Sequence, residues 1–114
     1  MATMHRISKN NTTIRDEDGA RIVRLHRTDI VTIRPTEIEL NSGGWRTVTT
    51  KARMNQVSNE LEFGYRVFAD KHAWFVSFFD EDGTPTTCEF EDGMRIPRHR
   101  VVWDGDAWQP MARA

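Results

Sequence analysis

The chain has 114 residues and a formal net charge of −1, the size of one domain. Its 38% hydrophobic and 10% aromatic content, with four Trp and six Phe, supplies a small core and excludes disorder throughout. No apolar run reaches the roughly 18 residues of a membrane span, residues 1–19 lack a signal-peptide stretch, and a single Cys excludes an internal disulfide framework and a paired-Cys zinc site, so a cytoplasmic, single-domain protein without cofactor is expected.

Residues 1–11 read as a flexible polar tail, and 12–114 as the single domain. From residue 12 the period is mostly two. Residues 12–15 and 21–26 read as strands around an Asp-Gly turn, which supplies the positive φ a tight hairpin needs. Residues 29–34 are β-branched and read as another strand, stopped by Pro35. Over 36–41, Ile38 and Leu40 alternate with Glu37 and Glu39. Gly43 and Gly44 make a turn, and 45–49 resumes the strand pattern. The period then changes. Thr49 or Thr50 is placed to cap a helix over about 50–58, with Met54, Val57 and Leu61 on one face. Residues 60–68 return to alternation. Residues 73–79 are apolar on both faces, as a central strand is. An acidic turn leads into a partner strand at 86–90. Asp104-Gly105 is expected to set Trp103 and Trp108 facing each other in a last hairpin. The expected class is α+β, mostly β: an antiparallel sheet of about six to eight short strands with one short helix packed on it.

Over residues 40–56 the chain reads Leu40-Asn41-Ser42-Gly43-Gly44-Trp45-Arg46-Thr47-Val48-Thr49-Thr50-Lys51-Ala52-Arg53-Met54-Asn55-Gln56. Here it resembles a group of small proteins encoded by tailed bacteriophages and prophages. Members combine a strand, this Gly-Gly-Trp turn, a Thr-rich segment and the helix start, followed by an aromatic strand. The resemblance covers roughly residues 21–97. It implies a phage-type accessory protein expressed inside a bacterium and brings no catalytic residues with it.

The residues agree with a non-enzymatic reading. His5, His26, His72 and His99 are scattered, and no metal-ligand spacing is present. Cys88 sits in a strand and reads as a small core residue. The carboxylate pairs Asp80/Asp82 and Asp104/Asp106 flank glycines at hairpin tips, where turn geometry accounts for them. Charge, by contrast, is segregated. Residues 1–59 carry ten Lys/Arg and six Asp/Glu, residues 60–92 two and nine, and residues 93–114 four and two.

Three groups are candidate binding surfaces. Arg46, Lys51, Arg53 and Asn55 gather near the helix start, where Thr hydroxyls, free N–H groups and cations suit an anion or phosphate. Trp45 is expected to anchor its strand in the core. Arg98 and Arg100, with Arg95 and His99, form a second basic group on a loop around Pro97. Folded beside Lys51 and Arg53, they would make one patch suited to nucleic acid. Asp80, Glu81 and Asp82, with Glu89, Glu91 and Asp92, form an opposite acidic pole able to mimic phosphates. The expected partner is a host protein or nucleoprotein complex belonging to a nucleic-acid machine or a defence system. Direct nucleic-acid binding and a small enzyme of unfamiliar fold are the alternatives. No membrane contact is expected, and a homodimer is left open.

Overall fold

The computed structural model describes residues 11–111. In chain order they form β1 (Thr12–Glu17), β2 (Ala20–Leu25), β3 (Thr28–Ile33), β4 (Glu37–Leu40), α1 (Val48–Leu61), β5 (Arg66–Asp70), β6 (Ala73–Phe79), β7 (Pro85–Glu89), β8 (Met94–Pro97), β9 (Val101–Trp103) and β10 (Trp108–Pro110). All pairings are antiparallel. One sheet runs β1-β2-β3-β4-β8, a second β5-β6-β7, and β9 pairs with β10 alone. The class is α+β, mostly β, with one helix. The strands are more numerous than expected and divide into three sheets.

Alternation explains the larger sheet. Ile38 and Leu40 are fully buried, and Ile96 of β8 lies opposite Ile38. Glu37 and Glu39 face outward and pair with Arg95 at 2.7 and 3.4 Å, and Arg34 reaches Glu39 at 2.8 Å. Much of the positive charge of the N-terminal half is therefore answered locally, with Arg15 on Asp29 and Arg21 on Asp16. Such exposed pairs contribute at most about 1 kcal/mol each.

α1 packs on β3 and β5. Its Met54 and Val57 enter a core shared with Val31, Val67, Trp74, Val76 and Phe90. The helix is longer than expected at both ends. Thr47 caps it, its hydroxyl accepting from the Thr50 N–H at 3.1 Å, so 45–49 is a loop and first turn rather than a strand. Glu62 closes it in the left-handed conformation (φ 59°), and the Phe63 N–H returns to the Ser58 carbonyl. Residues 60–62 thus finish a helix. Phe63, Tyr65 and Val67 are buried as the alternation requires, and β6 is central in its sheet.

Residues 94–97, expected as loop, form the edge strand β8, with Pro97 at its end where no ladder donor is needed. The expected tail, Asn11 apart, lies outside the described residues.

Candidate functional site

The loop between β4 and α1 is held from three sides. The Asn41 carboxamide accepts from the Gly43 N–H at 2.9 Å. The Ser42 N–H and hydroxyl both donate to one Asp92 carboxylate oxygen, each at 2.7 Å. Gly43 (φ 62°) lies so close to β3 that a Cβ would stand 2.7 Å from the Thr28 hydroxyl. Partial burial pushes the Asp92 carboxyl up. The Ser42 hydroxyl and N–H, nearby Arg46 and the Gly44 N–H together outweigh that and hold it below the usual carboxylate range.

This pinned loop presents Trp45 outward at 71% exposure, with Val48 beside it at 78%. The expectation that Trp45 anchors the core is overturned. Two positive-φ glycines and the Thr47 cap turn the chain away from the sheet before residue 45 meets a strand neighbour. Trp45 instead walls a cleft of about 290 Å³ between the β2–β3 turn and the first turn of α1. Leu25 and Ile30 contribute apolar lining, Thr28 and Thr50 hydroxyls, and His26 and Arg27 a basic lip.

Two predicted residues are brought together at this end. The Arg46 guanidinium stands 5.3 Å from the Phe90 ring centre, and the Lys51 ammonium 5.9 Å from that of Trp74. Trp74 and Phe90 are themselves an edge-to-face pair with centroids 5.4 Å apart. One aromatic pair therefore holds both cations near their outward positions. Arg53 is half-buried and donates to the Gln56 side chain at 3.0 Å. Asn55 is engaged within the fold, paired with the backbone of Val67.

Arg98 and Arg100 do not join them. Arg98 stacks over Phe63 at 5.6 Å and donates to the Arg34 carbonyl at 3.1 Å; Arg100 pairs with Glu62 at 3.0 Å. Phe63 and Glu62 mark the far end of α1, roughly 15 Å along the axis from Lys51. The acidic turn lies at that far end too. Buried His99 donates from Nε2 to the Asp80 carbonyl at 2.6 Å. Asp80 is structural, one carboxylate oxygen accepting from the Asp82 and Thr84 N–H groups, both at 2.9 Å. Glu81 and Asp82 are exposed. No ion pair among the described residues uses a carboxylate of 80–92. The rest of that block, from Glu89 to Asp92, lies at the Trp45 end, so the acidic block spans both ends.

Other chemistry is sparse. Burial and neighbouring Glu91 push the Cys88 thiol up, away from the reactive thiolate. Among the described residues, no three His, Cys, Asp or Glu side chains converge as a metal site. No helix there is long and apolar enough to cross a membrane.

The Kyanoviridae Gp96 protein family matches residues 1–97, which include the pinned loop, Trp45 and all of α1. The chain belongs to this family. It is a phage protein. The matched stretch ends just before Arg98, so the segment carrying Arg98, His99, Arg100 and the β9–β10 hairpin falls outside it. Among curated proteins and solved structures nothing matches the chain.

Sequence reasoning singled out Arg46 and Lys51 and missed His26, Arg27 and Val48. The signal for Val48 was present: a β-branched residue right after a helix cap has no core to face. His26 and Arg27 gave none, because only strand pairing brings their turn beside residue 45.

Proposed function

We propose that this family member is a non-enzymatic accessory protein of the phage, acting in the host cytoplasm by binding a host macromolecule. The target class is a protein of a nucleic-acid machine or defence system. One observation carries the reading. Trp45 and Val48, among the largest apolar side chains exposed, stand together on a loop held from three sides, with Arg46 and Lys51 beside them. Exposed Trp flanked by Arg is the composition that dominates binding energy at protein interfaces. Such side chains cost little to order, since the loop is pinned before any partner arrives.

The test is affinity capture from host lysate with the wild-type chain and with Trp45→Ala and Val48→Asp. Proteins recovered by wild type and lost with both variants are the expected result; an identical set from all three refutes the reading. Direct nucleic-acid binding is the second reading, supported by the two cations fixed over Trp74 and Phe90. It requires affinity that falls with salt and with Lys51→Ala. Absence of any complex with labelled single-stranded or duplex DNA and RNA at low salt removes it.

A further inference from the structure

Asp is followed by Gly four times, at residues 18–19, 82–83, 92–93 and 104–105. Glycine has no side chain to shield its amide nitrogen, so that nitrogen can reach the carboxyl of the preceding Asp. Attack on the carboxyl carbon closes a five-membered succinimide. A C–N bond forms, a C–O bond breaks, and the carboxyl's OH leaves with the amide proton as water. Water then opens the ring at either carbonyl. Opening at the side-chain carbonyl restores Asp; opening at the backbone carbonyl leaves isoaspartate, in which the chain runs through Cβ. No atom is gained or lost overall. The step needs a carboxyl free to turn and a Gly N–H that no acceptor holds.

Three of the four sites fail one condition or both. The Asp92 carboxylate accepts from the Ser42 N–H and hydroxyl, and the Gly93 N–H donates to the Leu40 carbonyl at 2.8 Å. The Gly83 N–H donates to the Asp80 carbonyl at 2.9 Å. One Asp104 carboxylate oxygen accepts from the Ala107 and Asp106 N–H groups, both at 2.8 Å, and these bonds hold its carboxyl below the usual range, away from the protonated form that loses water. Asp18 and Gly19 differ. They are the two central residues of the β1–β2 turn, between the paired residues Glu17 and Ala20, and both are exposed. Among the described residues nothing bonds the Asp18 carboxylate or takes the Gly19 N–H. A Cβ on Gly19 would meet nothing within 4 Å, so the space around this linkage is open.

We propose that Asp18-Gly19 is a spontaneous isomerisation site of the folded protein, with water as the only co-reactant. Exposed turn tips are where such a change is tolerated. The extra backbone carbon lengthens a two-residue turn whose length sets the strand register. The Glu17–Ala20 pairing at the tip is lost with it, and the neighbouring Arg21–Asp16 bridge at 2.9 Å is loosened. β1 is an edge strand, so the pairings of β2 with β3 and of β3 with β4 are kept.

The test incubates the full chain for weeks in warm neutral buffer, folded in one arm and in concentrated urea in the other. Each arm is digested, and the four Asp-Gly peptides are separated and read by electron-transfer fragmentation, which tells isoaspartate from Asp at equal mass. In the folded arm, isoaspartate at position 18 is expected to exceed that at positions 82, 92 and 104 severalfold. In urea, where the bonds that hold the other three are gone, the four sites are expected to converge. Three results overturn the proposal: no isoaspartate at position 18 in the folded arm, another site matching or exceeding it there, or the same ranking in both arms, which would make the fold irrelevant.

Discussion

The carboxamide of Asn55 holds both backbone hydrogen-bonding groups of Val67. Its nitrogen donates to the Val67 carbonyl at 2.8 Å, and its oxygen accepts the Val67 N–H at 2.7 Å. β5 is an edge strand, so the helix side chain stands in for a missing strand neighbour at that residue. Asn55→Ala leaves both groups without partners beside a fully packed Val67. A loss of about 2–3 kcal/mol is expected in urea denaturation, with little effect on the Trp45 face.

Gly64 and Val101 make a second close approach. Gly64 has φ 79°, and a Cβ there would lie 2.4 Å from Val101 Cγ1 and 3.2 Å from Phe79. The C-terminal segment crosses the end of α1 at this point, where the Val101 N–H donates to the Glu62 carbonyl. Gly64→Ala is expected to cost about 2–4 kcal/mol, through both the clash and the left-handed backbone. Adding Val101→Ala relieves the clash alone, so a double-mutant cycle is expected to show favourable coupling with a residual backbone cost.

The β5–β6 hairpin carries avoidable strain. Lys71 (φ 51°) and His72 (φ 70°) occupy the two central positions of its turn, both left-handed and neither glycine. Asn-Gly is the sequence such a turn favours. Lys71→Asn with His72→Gly is expected to stabilise the protein by about 1 kcal/mol, seen as a rise of several degrees in melting temperature.

The Trp45 loop carries a pH dependence through Asp92. Its folded-state pKa is depressed, so its contribution is present above the unfolded value near 4 and is lost as pH falls through the folded value. Between neutral pH and about pH 5 the Ser42 and Gly44 amide resonances are expected to stay fixed. Below about pH 4 they are expected to move, and the Trp45 fluorescence with them. Asp92→Asn is expected to remove that transition and to loosen the loop at every pH.

Much of this fold was legible because two forces agreed at each strand. In β4 the apolar and acidic residues alternate, and in β9–β10 the two Trp residues face each other as expected, 5.5 Å apart. The candidate site was less legible because its parts come from distant segments. Alternation over 45–49 mimics a strand, and only the Thr47 cap and the Asp92 anchor, fifty residues from Ser42, decide otherwise. The separation of the two basic groups follows from helix length: fourteen residues rather than about nine carry the chain well away from Lys51 before Arg98 and Arg100 pack.

The acidic turn gives the last prediction, because its three carboxylates are unequal. Asp80 organises the turn by accepting from Asp82 and Thr84, and its carbonyl anchors His99. Asp80→Ala is therefore expected to cost about 1–2 kcal/mol and to loosen the C-terminal segment. Glu81 and Asp82 are exposed, and reversing both to Lys is expected to change stability by less than about 0.5 kcal/mol. That pair isolates the charge of the turn from its geometry. If this far end mimics phosphates, the Glu81→Lys/Asp82→Lys protein loses its captured host partner while Trp45→Ala keeps it. The expected outcome is the reverse, since Trp45 is the most exposed Trp of the described residues and stands on the loop that Ser42 and Asp92 pin.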